Sequence, residues 1–137
     1  RRQLEMTPEP GMQLFICEMI DGPNGGELRK TAGPAHHQYQ KSVMDRFIAR
    51  GPMRTDDGAK VTGTTYIIQV KDRAAAEAFI AAEPMTKAGV FSKIRIDRWR
   101  FGMASAHAAQ GVRRPPPSAA TPDHRASVGY RRRSWVC

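Results

Sequence analysis

The sequence lacks several features that define large classes of protein. It has two cysteines in 137 residues, Cys17 and Cys137, too few for a disulfide framework, which favours a reducing cytoplasmic location. The apolar run near its front covers only residues 14–17, far short of the roughly 20 residues that cross a membrane. Arg1 and Arg2 are not followed by an apolar stretch, so no secretory signal is visible. We therefore expect a cytoplasmic protein with no membrane partner.

The spacings that mark common metal and nucleotide sites are also missing. Neither Cys-x-x-Cys nor His-Glu-x-x-His occurs. His36 and His37 would point about 100° apart on a helix, so they do not easily share one ion. In the glycine-rich stretch 22–31, Glu27 stands where a phosphate-binding loop needs its second glycine. We expect neither a metal nor a cofactor.

Acidic residues are too few to balance the basic ones, and the formal net charge is +9. More than half of this excess falls in residues 104–137, which carry +5, whereas residues 12–103 carry +4. The arginines of this C-terminal stretch would bind polyanions weakly and in a salt-dependent manner. Only Tyr130 and Trp135 could stack on bases there, and no RNA-binding motif occurs. We expect no specific nucleic-acid partner.

The chain divides into three predicted segments. Residues 1–11 contain two prolines and a glycine without apolar periodicity, which predicts a disordered leader. Residues 12–103 carry the regular apolar patterning and form the predicted domain. Residues 104–137 contain three consecutive prolines at 115–117 and an arginine run at 131–133, which give no means of burying a core. We expect this basic tail to be disordered.

The predicted domain follows the order strand, helix, strand, strand, helix, strand. Strands are indicated by apolar runs rich in β-branched residues, and helices by apolar residues that recur on one face. Gly51-Pro52 ends the first helix, since proline cannot continue it. The predicted elements are strands over 13–19, 53–55, 61–70 and 91–101, and helices over 34–50 and 73–82.

This order is that of the ferredoxin-like βαββαβ arrangement, an α+β fold with both helices on one face of an antiparallel sheet. The other face would be open. It would carry apolar residues of the first strand, either Phe15, Cys17 and Met19 or their even-numbered neighbours. Open apolar faces are usually covered by another subunit, so we predict a homodimer that forms through the open sheet face.

Three residues offer candidate chemistry. His36 falls in the first turn of the predicted helix, where the helix dipole favours the neutral imidazole that a general base needs; a purely structural hydrogen bond is the alternative. Glu83 stands at a helix C-terminus before Pro84, where the dipole disfavours an acid, so it is either solvated or retained for a purpose. Cys17 has no basic neighbour in its run, which favours a core thiol over a nucleophile.

Several short motifs occur in a characteristic order. They are Pro34-Ala35-His36, Arg50-Gly51-Pro52 followed by Asp56-Asp57-Gly58, Ala82-Glu83-Pro84, Ala88-Gly89-Val90, and the strand Ile94 to Trp99. As a set they resemble the YCII-related (YciI-like) family over about residues 12–101. The resemblance implies a ferredoxin-like fold of the dimeric α/β barrel group. It also implies a histidine–aspartate pair in a cleft and, in a few members, small-molecule chemistry such as dehydrohalogenation.

The resemblance assigns the histidine of the pair to His36 and the aspartate to Glu83, which keeps the carboxylate and adds a methylene. It implies a lyase- or isomerase-like enzyme in which Glu83 holds one imidazole nitrogen while the other takes a proton from an unidentified small acid or phenol. The alternative is a non-catalytic metabolite-binding or regulatory dimer. The longer side chain favours that alternative, because misplacement by an ångström can cost about 100-fold in a tuned site.

Overall fold

The computed structural model describes residues 3–4 and 6–105. Gln3–Leu4 pairs with Ala104–Ser105 in a small two-stranded unit, and the main domain ends at Gly102. These four paired residues belong to the predicted leader and tail. Residues 106–137 of the predicted tail, together with residues 1, 2 and 5, lie outside the described residues.

The main domain is built on one four-stranded antiparallel sheet. The strands are β1 (Gln13–Asp21), β2 (Phe47–Arg54), β3 (Val61–Val70) and β4 (Phe91–Trp99), and the helices are α1 (Gly25–Ser42), α2 (Arg73–Ala82) and the single-turn α3 (Pro84–Lys87). The strand order is β2-β3-β1-β4. The two long helices pack on the same face of this sheet, so the predicted ferredoxin-like α+β fold is confirmed. None of the described helices combines the length and apolar composition needed to cross a membrane.

The core fills the space between the sheet and the helices. β1 contributes its odd-numbered residues Phe15, Cys17 and Met19, all of them buried. The same cluster contains Tyr66, Ile68 and Val70 from β3 and Ala76, Phe79 and Ile80 from α2. Because successive side chains of a strand point to opposite faces, the open face carries the even-numbered residues of β1.

Cys17 is a core residue, as its apolar neighbours indicate. Its side chain is fully buried. Burial raises the pKa of the thiol to about 12; the Arg73 charge lowers this pKa to a smaller extent, and the Asp97 charge adds to the increase. A thiol with that pKa stays protonated at neutral pH and is a poor nucleophile. The cytoplasmic location inferred from the scarcity of cysteine stays a prediction.

The prediction of a helix over 34–50 is wrong at both ends. α1 begins at Gly25 and ends at Ser42, and Pro34 lies inside it. Its buried face includes Ala32, His36 and Gln40, spaced by four residues as one helix face requires. Two of these three are polar, so hydrophobicity along the sequence does not reveal the stripe. His36 therefore lies near the middle of α1, and the dipole argument, which holds only in the first turn, does not apply to it.

The residues expected to end that helix instead form an edge strand. Phe47–Arg54 is β2, and Gly51 and Pro52 lie inside it. Proline is tolerated at the edge of a sheet because one side of an edge strand needs no ladder hydrogen bonds. β2 turns Arg50 toward the helix side of the sheet, where its side chain reaches Gln40 of α1.

Candidate active site

Glu83 occupies the junction between α2 and α3. The proline that follows it disfavours helical backbone at the preceding residue, and Glu83 is accordingly extended, with φ −66° and ψ 125°. Pro84 then starts α3, and the Glu83 carboxylate accepts a hydrogen bond from the Met85 N–H at 3.0 Å. The side chain of Glu83 is fully buried. The helix end therefore turns this acid inward rather than toward solvent.

The imidazole of His36 meets this carboxylate. His36 Nδ1 lies 2.9 Å from Glu83 Oε1 and 3.0 Å from Oε2, although the residues are 47 positions apart in the chain. A carboxylate can only accept hydrogen bonds, so the network assigns the proton to Nδ1. In the tautomer with its proton on Nδ1, the lone pair of the ring is on Nε2.

A chain of hydrogen bonds continues from Glu83 to β2. The Tyr66 hydroxyl donates to Glu83 Oε2 at 2.7 Å and accepts from Gln40 Nε2 at 3.2 Å. Gln40 Oε1 accepts from Arg50 Nη1 at 2.6 Å. Since Arg50 can only donate, it fixes the orientation of the Gln40 amide, which in turn directs the Tyr66 proton toward Glu83. The carboxylate thus receives three donors: His36, Tyr66 and the Met85 N–H.

These contacts determine the protonation state of the site. Burial by itself raises the pKa of the Glu83 carboxyl, but hydrogen bonds from His36, the Met85 N–H and Tyr66 outweigh it and hold that pKa below its usual range. Burial and the adjacent Glu83 charge raise the pKa of Tyr66, so its phenol keeps its proton. At neutral pH the Glu83 carboxylate is therefore ionised, and it accepts hydrogen bonds from the Tyr66 hydroxyl, the Met85 N–H and the His36 imidazole.

His36 lines an open cleft, whereas the Glu83 side chain that holds it is fully buried. The cleft has a volume of about 420 Å³, within the range of roughly 300–1,000 Å³ typical of small-molecule sites. Its walls come from α1, β2, β3 and α3. They are formed by Arg29, His36, His37, Gln40, Arg50, Gly51, Pro52, Thr64, Tyr66 and Met85.

Arg29 lies on another wall of the cleft and is held in a fixed position. Its Nε and Nη2 atoms each lie 2.7 Å from an oxygen of Asp21, in a two-point ion pair. Nη2 also donates to Thr64 Oγ1 at 2.9 Å. Both partners of the ion pair are largely buried, so Asp21 compensates the charge of Arg29 inside the cleft.

The two sequence-predicted site residues, His36 and Glu83, are brought together by the fold, while Cys17 lies apart from them in the core. Sequence reasoning missed the other polar residues of the site. In the sequence, Arg50 belongs to a family motif and Tyr66 lies within the predicted strand over 61–70, but neither is predicted as a site residue. The spacing of Ala32, His36 and Gln40 by four is the signal that could have revealed Gln40.

His36 and His37 are neighbours but do not form a joint site. Their ring centroids lie 5.4 Å apart with planes tilted by 51°, and Nδ1 of His36 is already bonded to Glu83. Among the described residues, no group of three or more histidine, cysteine, aspartate or glutamate side chains is arranged to hold a metal ion.

Most of the main domain matches a known protein family. The family described as the YCII-related domain matches residues 13–100 of the chain. The chain belongs to the YCII-related family. This match confirms the resemblance found in the short motifs, and the His36–Glu83 pair of this YCII-related protein lies inside the matched region. No curated protein sequence matches the chain.

Solved structures similar to this YCII-related protein include several enzymes. The 5-chloro-2-hydroxyhydroquinone dehydrochlorinase TftG from Burkholderia phenoliruptrix AC1100, in complex with 2,5-dihydroxybenzoquinone, is 26% identical with a TM-score of 0.60, covering 65% of this chain and 95% of its own. A cofactor-independent oxygenase, SnoaB from Streptomyces nogalater, has a TM-score of 0.39 at 11% identity, covering 67% of this chain and 96% of its own. A Streptomyces coelicolor monooxygenase in complex with nanaomycin D also has a TM-score of 0.39. It is 15% identical, and the match covers 72% of this chain and 96% of the monooxygenase chain.

Proposed function

We propose that this YCII-related protein is a small-molecule enzyme of the lyase or isomerase type, with His36 as general base and Glu83 as the residue that orients it. The observation that carries the proposal is the buried 2.9 Å contact between His36 Nδ1 and Glu83 Oε1 at the edge of the cleft. With Nδ1 bonded to a carboxylate, Nε2 is available for a substrate proton. Glu83 also stabilises the imidazolium that forms once that proton is taken.

We propose chlorinated, hydroxylated aromatic compounds as the first substrates to test, because the dehydrochlorinase TftG shares 26% identity with the chain. Acting on the keto tautomer of such a ring, His36 Nε2 takes a hydroxyl proton and the electrons left on oxygen form a carbonyl. The displaced ring electrons expel chloride. The substrate loses one proton and one chloride, so the step consumes neither oxidant nor reductant. Delivering that proton to a ring carbon, with the chlorine retained, would give isomerisation instead.

The position of the Glu83 carboxylate favours the enzyme over the non-catalytic metabolite-binding or regulatory dimer, although the extra methylene by itself favours the latter. A glutamate in place of the family aspartate could have misplaced the carboxylate by its extra methylene. Both carboxylate oxygens nevertheless lie within 3.0 Å of His36 Nδ1. The backbone and the contacts of Tyr66 and Met85 accommodate the longer side chain, so the geometry of an acid–base pair is kept.

The test of this function is a chloride-release assay on the full chain. Chlorinated hydroxyhydroquinones and chlorinated dihydroxybenzoates are incubated with protein at neutral pH, and chloride and the quinone product are measured together. We expect stoichiometric release of both with at least one compound. Saturable binding across the set with neither chloride release nor isomerisation would instead support the metabolite-binding dimer.

We also propose that the protein is a homodimer formed through the open face of the sheet. Ile16 of β1 and Ile67 of β3 are direct cross-strand neighbours on that face, and Ile20 is 39% exposed. A central apolar patch of this kind is usually covered by a partner. A second copy of the chain offers the same patch, as a two-fold interface requires.

Light scattering tests the dimer with one pair of variants. Ile67→Lys would bring a charge into the interface of both copies, so we expect it to convert the dimer to a folded monomer at micromolar concentration. Ala59→Lys, which adds the same charge in the exposed turn before β3, should remain dimeric. Circular dichroism confirms that each variant is folded. A wild-type protein that is monomeric at these concentrations would refute the dimer.

A further inference from the structure

The charged side chains on the walls of the cleft are not equally compensated. Arg29 is held by both oxygens of Asp21, and His36 faces the carboxylate of Glu83. Arg50 differs from both. In the described part of the chain, no carboxylate lies within ion-pairing distance of its guanidinium group. Among the described residues, Arg50 is therefore a cation of the cleft wall whose charge no neighbouring acid balances.

The contacts of Arg50 orient its guanidinium group without neutralising it. Nη1 donates to the neutral carbonyl of Gln40 at 2.6 Å, and Cζ lies 5.2 Å from the centroid of the Phe47 ring. Both contacts use only part of a group that has five N–H donors in a planar fork. The remaining donors are available to an anion, and a planar fork matches a carboxylate or an enolate.

We infer that the cleft binds small organic anions, with the Arg50 guanidinium holding the anionic group beside His36. The inference rests on the proposed function in one respect, since both concern the same cleft. It adds the class of ligand that this cleft binds, small organic anions. The ligand would carry one acidic group and, on the same ring or chain, the hydroxyl that faces His36.

The spacing of the two groups fits one small ring. Arg50 contacts Gln40, which follows His36 by four residues on α1, and four residues of α-helix rise about 6 Å. Side chains at this spacing are neighbours on the same helix face. A single substituted ring can bridge such a distance, with its acidic group at Arg50 and its hydroxyl at His36 Nε2. A cleft volume of about 420 Å³ accommodates a molecule of that size.

Calorimetry with two matched probes tests the inference at pH 7. The probes are 2,5-dihydroxybenzoate, which is an anion, and hydroquinone, which is the same ring without the carboxylate. We expect the wild-type protein to bind the anion more tightly, and Arg50→Gln to reduce that preference by about 10- to 100-fold, the usual effect of losing a charge-assisted hydrogen bond. Arg50→Lys keeps the charge but not the fork, so it should restore part of the preference.

The control is Arg54→Gln, which removes the same charge farther along β2. Arg54 donates to the carbonyl of Gly58 and is absent from the cleft wall, so this variant should keep the full preference. A wild-type protein without the preference, or an Arg50→Gln variant that retains it, would overturn the inference. If the protein released chloride but did not prefer 2,5-dihydroxybenzoate to hydroquinone, only the anion site would be contradicted. If it showed an Arg50-dependent preference but turned over no compound, only the proposed enzyme would be contradicted.

Discussion

Replacing His36 with asparagine should lower kcat for chloride release by about 10²- to 10⁴-fold, the usual contribution of a positioned general base. The asparagine amide can still donate to Glu83, so the buried carboxylate keeps a hydrogen-bond partner. What the variant lacks is a basic nitrogen at the position of Nε2. The loss should therefore fall on kcat, while the dissociation constant of 2,5-dihydroxybenzoate changes little, since Arg50 remains.

The adjacent histidine provides a matched control. His37 lies on the same helix and also lines the cleft, but it is exposed. Among the described residues, the hydrogen-bond donors to the Glu83 carboxylate are His36, Tyr66 and the Met85 N–H, and His37 is not one of them. His37→Asn should keep most of the wild-type kcat. If His36→Asn retained wild-type turnover, or if the two variants lost activity equally, His36 would not be the base.

The sequence predicts the interior strand β3 and the second long helix well because their patterns are apolar, whereas the first half of the edge strand β2 falls within the predicted first helix. The run over 61–70 and the alanine-rich stretch over 73–82 appear in the structure with the same bounds. α1 was misplaced because a cleft lies over its inner face. Where a helix lines a cleft, some of its inward residues are polar because they make contacts in the cleft. In α1 these are His36 and Gln40, which interrupt the regular spacing of apolar residues that marks a buried helix face.

The site could be predicted only in part for a related reason. The motifs point to His36 and Glu83, but their contact depends on packing α1 against the junction between α2 and α3. In the sequence pattern, Tyr66 counts only as an apolar residue of a strand. The role of its hydroxyl depends on hydrogen bonds to Glu83 and Gln40, which only the folded structure brings near it. Arg50 is placed by β2, an edge strand interrupted by glycine and proline. Long-range contacts of this kind leave no local periodicity.

Replacing Glu83 with glutamine should lower kcat about as much as replacing His36 does, by about 10²- to 10⁴-fold. The reason is that glutamine can reverse the direction of the hydrogen bond between position 83 and His36 Nδ1. A glutamine amide can donate to His36 Nδ1, which would then carry the lone pair and leave the proton on Nε2. A ring in that tautomer cannot take a proton from substrate. Glu83→Asp, which shortens the side chain but keeps the charge, should retain far more activity than Glu83→Gln.

The same substitution should change how stability depends on pH. The folded-state pKa of Glu83 is held below its usual range, so ionised Glu83 stabilises the fold above about pH 4.3, the ordinary value for glutamate. That stabilisation is lost as the pH falls through the folded-state pKa. The free energy of unfolding of the wild type should therefore decrease more steeply below about pH 4.3 than that of Glu83→Gln.

Urea unfolding from pH 7 to pH 3 measures this difference directly. Subtracting the two curves removes the carboxyls that both proteins share, so the remaining slope belongs to position 83. Glu77→Gln is the control, because Glu77 is an exposed acid on α2 whose nearest ion-pair partner, Arg73, lies at 4.0 Å; its curve should run parallel to that of the wild type. Parallel curves for Glu83→Gln as well would mean that the buried carboxylate is not stabilised by His36, Tyr66 and the Met85 N–H. The orientation of His36 would then need another cause.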